Sequence, residues 1–186
     1  MESRFNERRS KIRTWNALMG EEIKNRVAES SLITIDLEDY YPKGNRVELD
    51  ISQFLFEGVI LKEKDFREKT ASFNWAQYQD CYVALTNISE ALIPAWAFML
   101  LTIELTTYSK MVSIGVLHQL ETVIFSEIIL KLDLSIYKNQ RVIIKGCSNK
   151  PIPENAFIQL TQRLQPIAKS VMYGEACSSV PLFKRK

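Results

Sequence analysis

No apolar run in this chain approaches the roughly 20 residues that a membrane-spanning helix requires. The N-terminus lacks the apolar core of a secretory signal. Three cysteines, Cys81, Cys147 and Cys177, are too few, and odd in number, for a secreted disulfide framework. The single histidine, His118, excludes a multi-histidine metal site within one chain. Net charge is only +2, so no bulk field argues for nucleic acid. A glycine-rich dinucleotide fingerprint, a phosphate-binding P-loop, a nucleophile elbow and a CxxC pair are all missing. These absences leave a reducing cytoplasm as the expected location, with neither membrane nor nucleic acid as a partner.

What is present is an ordinary globular mixture, 46% apolar and 25% charged, in 186 residues. That length suits one domain with its own core. Positive charge gathers at the ends. Residues 1–18 hold Arg4, Arg8, Arg9, Lys11 and Arg13 without clear periodicity, and the last three residues are Lys184, Arg185 and Lys186. Residues 1–18 therefore read as a basic, frayed tail, and 19–186 as a single α/β domain.

The strongest signal is self-similarity. Sliding the sequence by 59 positions aligns residues 83–115 with 142–174 without a gap, and twelve of the 33 pairs are identical. Among them are Val83/Val142, Pro94/Pro153, Ala97/Ala156, Leu101/Leu160, Leu105/Leu164 and Gly115/Gly174. Tyr78 and Tyr137 extend the match, giving repeats over 78–115 and 137–174. Each copy reads as strand, loop, helix, strand. Tyr82–Leu85 and Arg141–Ile144 are short, apolar and partly β-branched, like buried parallel strands. Pro94 and Pro153 stand where a helix begins, because that N–H has no partner anyway. Leu117–Leu132 reads as a helix joining the copies. The pattern predicts a mostly parallel sheet, covered by helices and built from a duplicated β-α-β unit. Ahead of it, Ile33–Leu37 and Val47–Ile51 alternate with period two around Pro42-Lys43-Gly44-Asn45, which predicts an N-terminal β-hairpin. Val59–Lys62 reads as a further strand and Glu63–Lys69 as a helix.

The two repeat helices differ. In the second, Asn155, Gln159 and Gln162 face water. The first has Trp96, Leu100 and Ile103 at those positions, a second apolar stripe. Either the N-terminal third of the chain covers it, or a homodimer or protein partner docks through Trp96, Leu100 and Ile103.

Open parallel sheets bind ligands beyond the carboxyl ends of their strands. The candidate site is accordingly Cys147, Cys177, Ser148, Glu175, Lys145, Thr86 and Ser89. Cys147 and Cys177 both follow predicted strands on one edge. As thiolates they could hold a metal or an iron–sulfur cluster with help from Glu175, although two thiolates fall short of the usual four ligands. Thiol chemistry and plain packing are the other readings. Lys145 and Lys150 beside Cys147 could attract an anion. Asp36, Glu38 and Asp39 form an acidic cluster read as a solvated hairpin face.

Leu37-Glu38-Asp39-Tyr40-Tyr41-Pro42, Ile60–Arg67, Tyr82–Thr86, Val142–Ser148 and Lys169–Pro181 together resemble a bacterial family known as domain of unknown function 2480, over about residues 20–186. Ala176 departs from the proline of relatives. The resemblance implies an uncharacterised accessory or binding protein linked to iron–sulfur cluster assembly, because bacterial members are encoded beside sulfur-mobilisation genes. The alternatives are a small-molecule enzyme with a thiol-based strand-end site, or a scaffold without chemistry.

Overall fold

A computed structural model describes residues 32–175 and 177–186; the basic segment 1–18 and the expected domain start at Met19 lie outside the described residues. Seven strands and four α-helices follow one another along the described chain. They are β1 (Leu32–Ile35), β2 (Arg46–Asp50), α1 (Glu63–Ser72), β3 (Tyr82–Thr86), α2 (Ala95–Thr106), β4 (Met111–Ile114), α3 (Leu117–Lys131), β5 (Arg141–Ile144), α4 (Glu154–Leu164), β6 (Ser170–Glu175) and β7 (Ser178–Lys184). The fold is α/β, and its strands fall into two mostly parallel sheets rather than one. The first has the order β1-β5-β6-β7 and the second β2-β3-β4.

The 59-residue offset of the sequence also relates these elements. β3 and β5, α2 and α4, and β4 and β6 begin at matching positions. Asp80 and Asn139 both take positive φ just before a strand, and their N–H groups bond Tyr108 and Ile167 in the matching places. Within each sheet the repeat strands pair in parallel, Val83 opposite Val112 and Val142 opposite Val171.

The expected N-terminal hairpin does not form. β1 lies beside β5, while β2 pairs in parallel with β3, Leu49 opposite Leu85. Each sheet thus takes one of the two alternating segments as its own first strand. In both segments the penultimate residue is an aspartate that caps a short 3-10 turn: Asp36 accepts from Glu38 N at 2.9 Å, and Asp50 from Ser52 N at 3.1 Å. Val59–Lys62 is not a strand either. Only Phe56 and Ile60 bridge, across a turn in which Glu57 and Gly58 take positive φ.

Each sheet is built around its helices. Val142, Ile144 and Val171 pack with Ala156, Leu160 and Leu164 of α4, and with Phe125 and Ile129 of α3. In the second sheet Val83 and Leu85 pack on Ala97, Leu101 and Leu105 of α2, while Ala84 meets Leu120 and Ile124 of α3 on the other face. α3 therefore serves both cores. Aromatics of the N-terminal third close the α2 side: Phe54 stacks on Trp75 at 5.8 Å, and Phe66 meets Trp96 edge-on at 5.6 Å. Trp96 and Leu100 are half-buried there against this chain's own residues, whereas Ile103 remains exposed.

Candidate functional site

β5 and β6 run in parallel with Ile144 opposite Tyr173, so the segments leaving them emerge at one end of the sheet. Cys147 follows β5, Cys177 stands between β6 and β7, and both are exposed, while Cys81 is buried. The two exits touch. Tyr173 Oη donates to the carbonyl of Gly146 at 3.3 Å, and a Cβ at Gly146 would lie 3.0 Å from that tyrosine ring. Gly174 has φ +121°, and a Cβ there would stand 2.6 Å from the carbonyl oxygen of Ser178. Glycine thus permits both the approach of the loop and the tight return that carries Cys177.

The acidic residues at the end of β1 hold the Cys147 loop. Lys145 Nζ donates to Asp36 Oδ2 at 2.5 Å. Glu38 accepts from Asn149 N at 3.0 Å and from Ser148 Oγ at 3.3 Å. Asp36 and Glu38 thus do more than solvate a face: they clamp the segment that bears the thiol. The Lys145 ammonium is pushed above its usual range, first by its hydrogen bond to Asp36 and then by the charges of Asp36, Glu175 and Glu38. Three carboxylates thus bear on this one cation. An anion drawn by Lys145, as its position suggested, would meet a lysine already engaged and a surplus of negative charge.

The remaining expected site residues separate. Thr86, nearly buried, ends β3 in the second sheet. Ser89 follows it and donates to Asn87 Oδ1 at 2.7 Å. Neither belongs to the sheet that carries the cysteines. Ser89 and Ser148 perform the same local task, each accepting from the backbone N–H two residues on, Ala91 and Lys150. A serine that builds a turn in both halves is explained by loop geometry.

A neighbouring network is not among the residues that the strand-end rule points to. A cavity of about 460 Å³ opens where the loop from β5 enters α4, lined by Pro151, Ile152, Pro153 and Glu154, by Leu117, His118 and Glu121 of α3, and by Tyr41 and Arg46. On its wall Glu121 Oε1 accepts from Arg46 Nε at 2.6 Å and from Tyr41 Oη at 2.7 Å. These side chains are only 12% (Arg46) and 8% (Glu121) exposed. Arg46 also donates to the carbonyls of Pro42 and Gly44 and lies between the rings of Tyr41 and Tyr82. The available signal was Glu121 itself, a charge on the same helix face as Leu117, Leu120 and Ile124. His118 sits at the rim, exposed, 3.7 Å from Glu154.

Burial and the bond to Glu121 push the Tyr41 phenol up to about 12, and burial, helped by Tyr40, does the same for Tyr137. Both start from 10.0. Between these values the unfolded chain loses the phenolic protons first, so stability is full below pH ~10 and falls as pH rises toward ~12. Urea unfolding at pH ~9 and ~11 checks this: the midpoint should be lower at the higher pH, and Tyr41→Phe should weaken that dependence.

Among the described residues no group of three or more His, Cys, Asp or Glu side chains is placed to hold a metal ion, and no helix is long and apolar enough to cross a membrane. A resident tetrahedral metal or a cluster with all its ligands from the described residues does not fit this donor set. Cys147 and Cys177 are exposed thiols after β5 and β6, and the carboxylates of Asp36 and Glu38 bind the segment that bears Cys147. No curated protein and no solved structure matches the chain. A family model described as a protein of unknown function (DUF2480) matches residues 21–185. With that match covering most of its length, the chain belongs to the DUF2480 family.

Proposed function

We propose that this is a cytoplasmic accessory binding protein whose Cys147 and Cys177 together hold a thiophilic cargo, a soft metal ion or an iron–sulfur fragment, while a partner supplies the remaining ligands. The observation that carries this reading is the placement of two exposed thiols at the carboxyl ends of adjacent parallel strands. Soft cations prefer thiolates. The carboxylates of Asp36, Glu38 and Glu175 favour a cationic guest over an anionic one. An incomplete ligand set suits cargo that must be released, and the link to iron–sulfur assembly implied by the family resemblance names a pathway with such cargo. The enzyme reading has less support. Ser148 is spent on its loop and on Glu38, and Lys145 on Asp36.

The test is analysis of iron, acid-labile sulfide and copper in protein purified without oxygen, before and after incubation with ferrous iron and sulfide. Wild-type protein should retain cargo above buffer level, and the Cys147→Ser, Cys177→Ser double variant should not, with its circular dichroism unchanged. Equal background in both samples would refute the proposal.

A further inference from the structure

The cavity of about 460 Å³ beside α3 and α4 has an ion pair on its wall that the fold satisfies only in part. A guanidinium carries five N–H donors. Arg46 Nε donates to Glu121 Oε1, and Arg46 Nη1 donates to the carbonyls of Pro42 and Gly44 at 2.8 and 2.6 Å. Arg46 Nη2 is buried and finds no acceptor among the described residues. Glu121 shows the converse. Its Oε1 takes both bonds, from Arg46 and from Tyr41, while its Oε2 is buried and finds no donor among the described residues. The Glu121 side chain is only 8% exposed.

An unpaired buried polar atom is costly, and here one donor and one acceptor occur within a single pair. Neither side chain is free to swing away. The Arg46 guanidinium lies 4.2 Å from the Tyr41 ring centre and 4.8 Å from that of Tyr82, and Glu121 is held by Arg46 and Tyr41. The two groups are therefore preorganised. Leu117, Pro151, Ile152 and Pro153 give the cavity its apolar lining. An apolar cavity of this size with a few fixed polar groups is the usual form of a small-molecule site. The charges select among ligands. Arg46 and Glu121 cancel each other. α3 and α4 both begin at the cavity, a feature that an anion would use, but the carboxylates of Glu121 and Glu154 oppose one. A cation would meet the buried Arg46.

We propose that this cavity binds a small neutral heterocycle through a lactam edge, whose N–H donates to Glu121 Oε2 and whose carbonyl accepts from Arg46 Nη2. A lactam carries its donor and its acceptor on neighbouring atoms and has no net charge, so it supplies each unpaired atom with the partner it lacks. The bond to the carboxylate is charge-assisted and is the stronger anchor. The apolar body of the heterocycle lies against Leu117 and Ile152. None of this depends on Cys147 or Cys177, so the proposal stands apart from the cargo site.

Amide NMR spectra of the full chain, titrated with 2-quinolone as a bicyclic lactam probe, test the proposal. Saturable shifts are expected at Leu117, His118, Glu121, Ile152 and Glu154. N-Methyl-2-quinolone lacks the donor and should bind at least about tenfold more weakly. The same loss is expected for 2-quinolone with Glu121→Gln, where a neutral amide replaces the charged acceptor, at unchanged circular dichroism. Should that variant fail to fold, Leu117→Trp, which fills the cavity from a partly exposed position, should abolish binding. No saturable shift at millimolar probe, shifts centred elsewhere, or equal binding of the N-methyl compound would each overturn the proposal. Tighter binding of 2-naphthoate than of 2-quinolone would also overturn it, by marking an anion site at the helix starts.

Discussion

Glu121→Ala is expected to lower the unfolding free energy by about 3 kcal/mol, the low end of the range for removing one member of a buried ion pair. The cost comes from what remains. Arg46 stays buried between Tyr41 and Tyr82 with its nearest countercharge gone, and the Tyr41 hydroxyl loses its acceptor. Two carbonyl contacts and the aromatic faces still support the guanidinium, which holds the loss toward that low end. Glu121→Gln keeps an oxygen for Tyr41 and Arg46 and should cost clearly less. Urea denaturation read as a shift in midpoint at constant slope checks both values. A loss under about 1 kcal/mol for the alanine variant would mean that water replaces the carboxylate, as at exposed pairs. The network also ties α3 to the start of β2 and to the turn after β1, the turn whose Asp36 and Glu38 grip the Cys147 loop. The alanine variant should therefore loosen that loop as well as the core.

Periodicity carries the secondary structure of the repeats well. Strands at Tyr82 and Arg141 and helices opened by Pro94 and Pro153 are dictated by local rules, namely β-branching, proline at a helix start and glycine at a strand end. The partner of each strand is not local. Ile33–Leu37 and Val47–Ile51 alternate correctly for a hairpin, but alternation states only that one face is buried and is equally satisfied by pairing with β5 or β3. The deciding interactions are distant in sequence: Lys145 N donates to Ile35 O, and the carboxylate of Asp50 accepts from Ile88 N. The common pattern apolar-x-apolar-Asp in the two segments was a legible hint that each serves its own half. Likewise, a repeat establishes two similar units without saying whether they share a sheet. Cys147, Cys177, Lys145 and Glu175 were named from the strand-end rule, and all four stand at the exits of β5 and β6. Thr86 and Ser89 were named by the same rule, but their strand belongs to the other sheet. The part played by Asp36 and Glu38 was hidden because it depends on β1 lying next to β5.

Cargo binding as proposed requires Cys147 and Cys177 to act as one site rather than as two separate surface thiols. Phenylarsine oxide, a trivalent arsenical that binds tightly only when two thiolates reach the same arsenic, tests this directly. Titrated against reduced protein, it is expected to bind once per chain. Because the second bond is intramolecular, Cys147→Ser and Cys177→Ser should each weaken binding by about 100-fold or more, and the double variant should be scarcely worse than either single one. Independent, additive losses in the two single variants, or a wild-type protein that binds no more tightly than a monothiol, would contradict it.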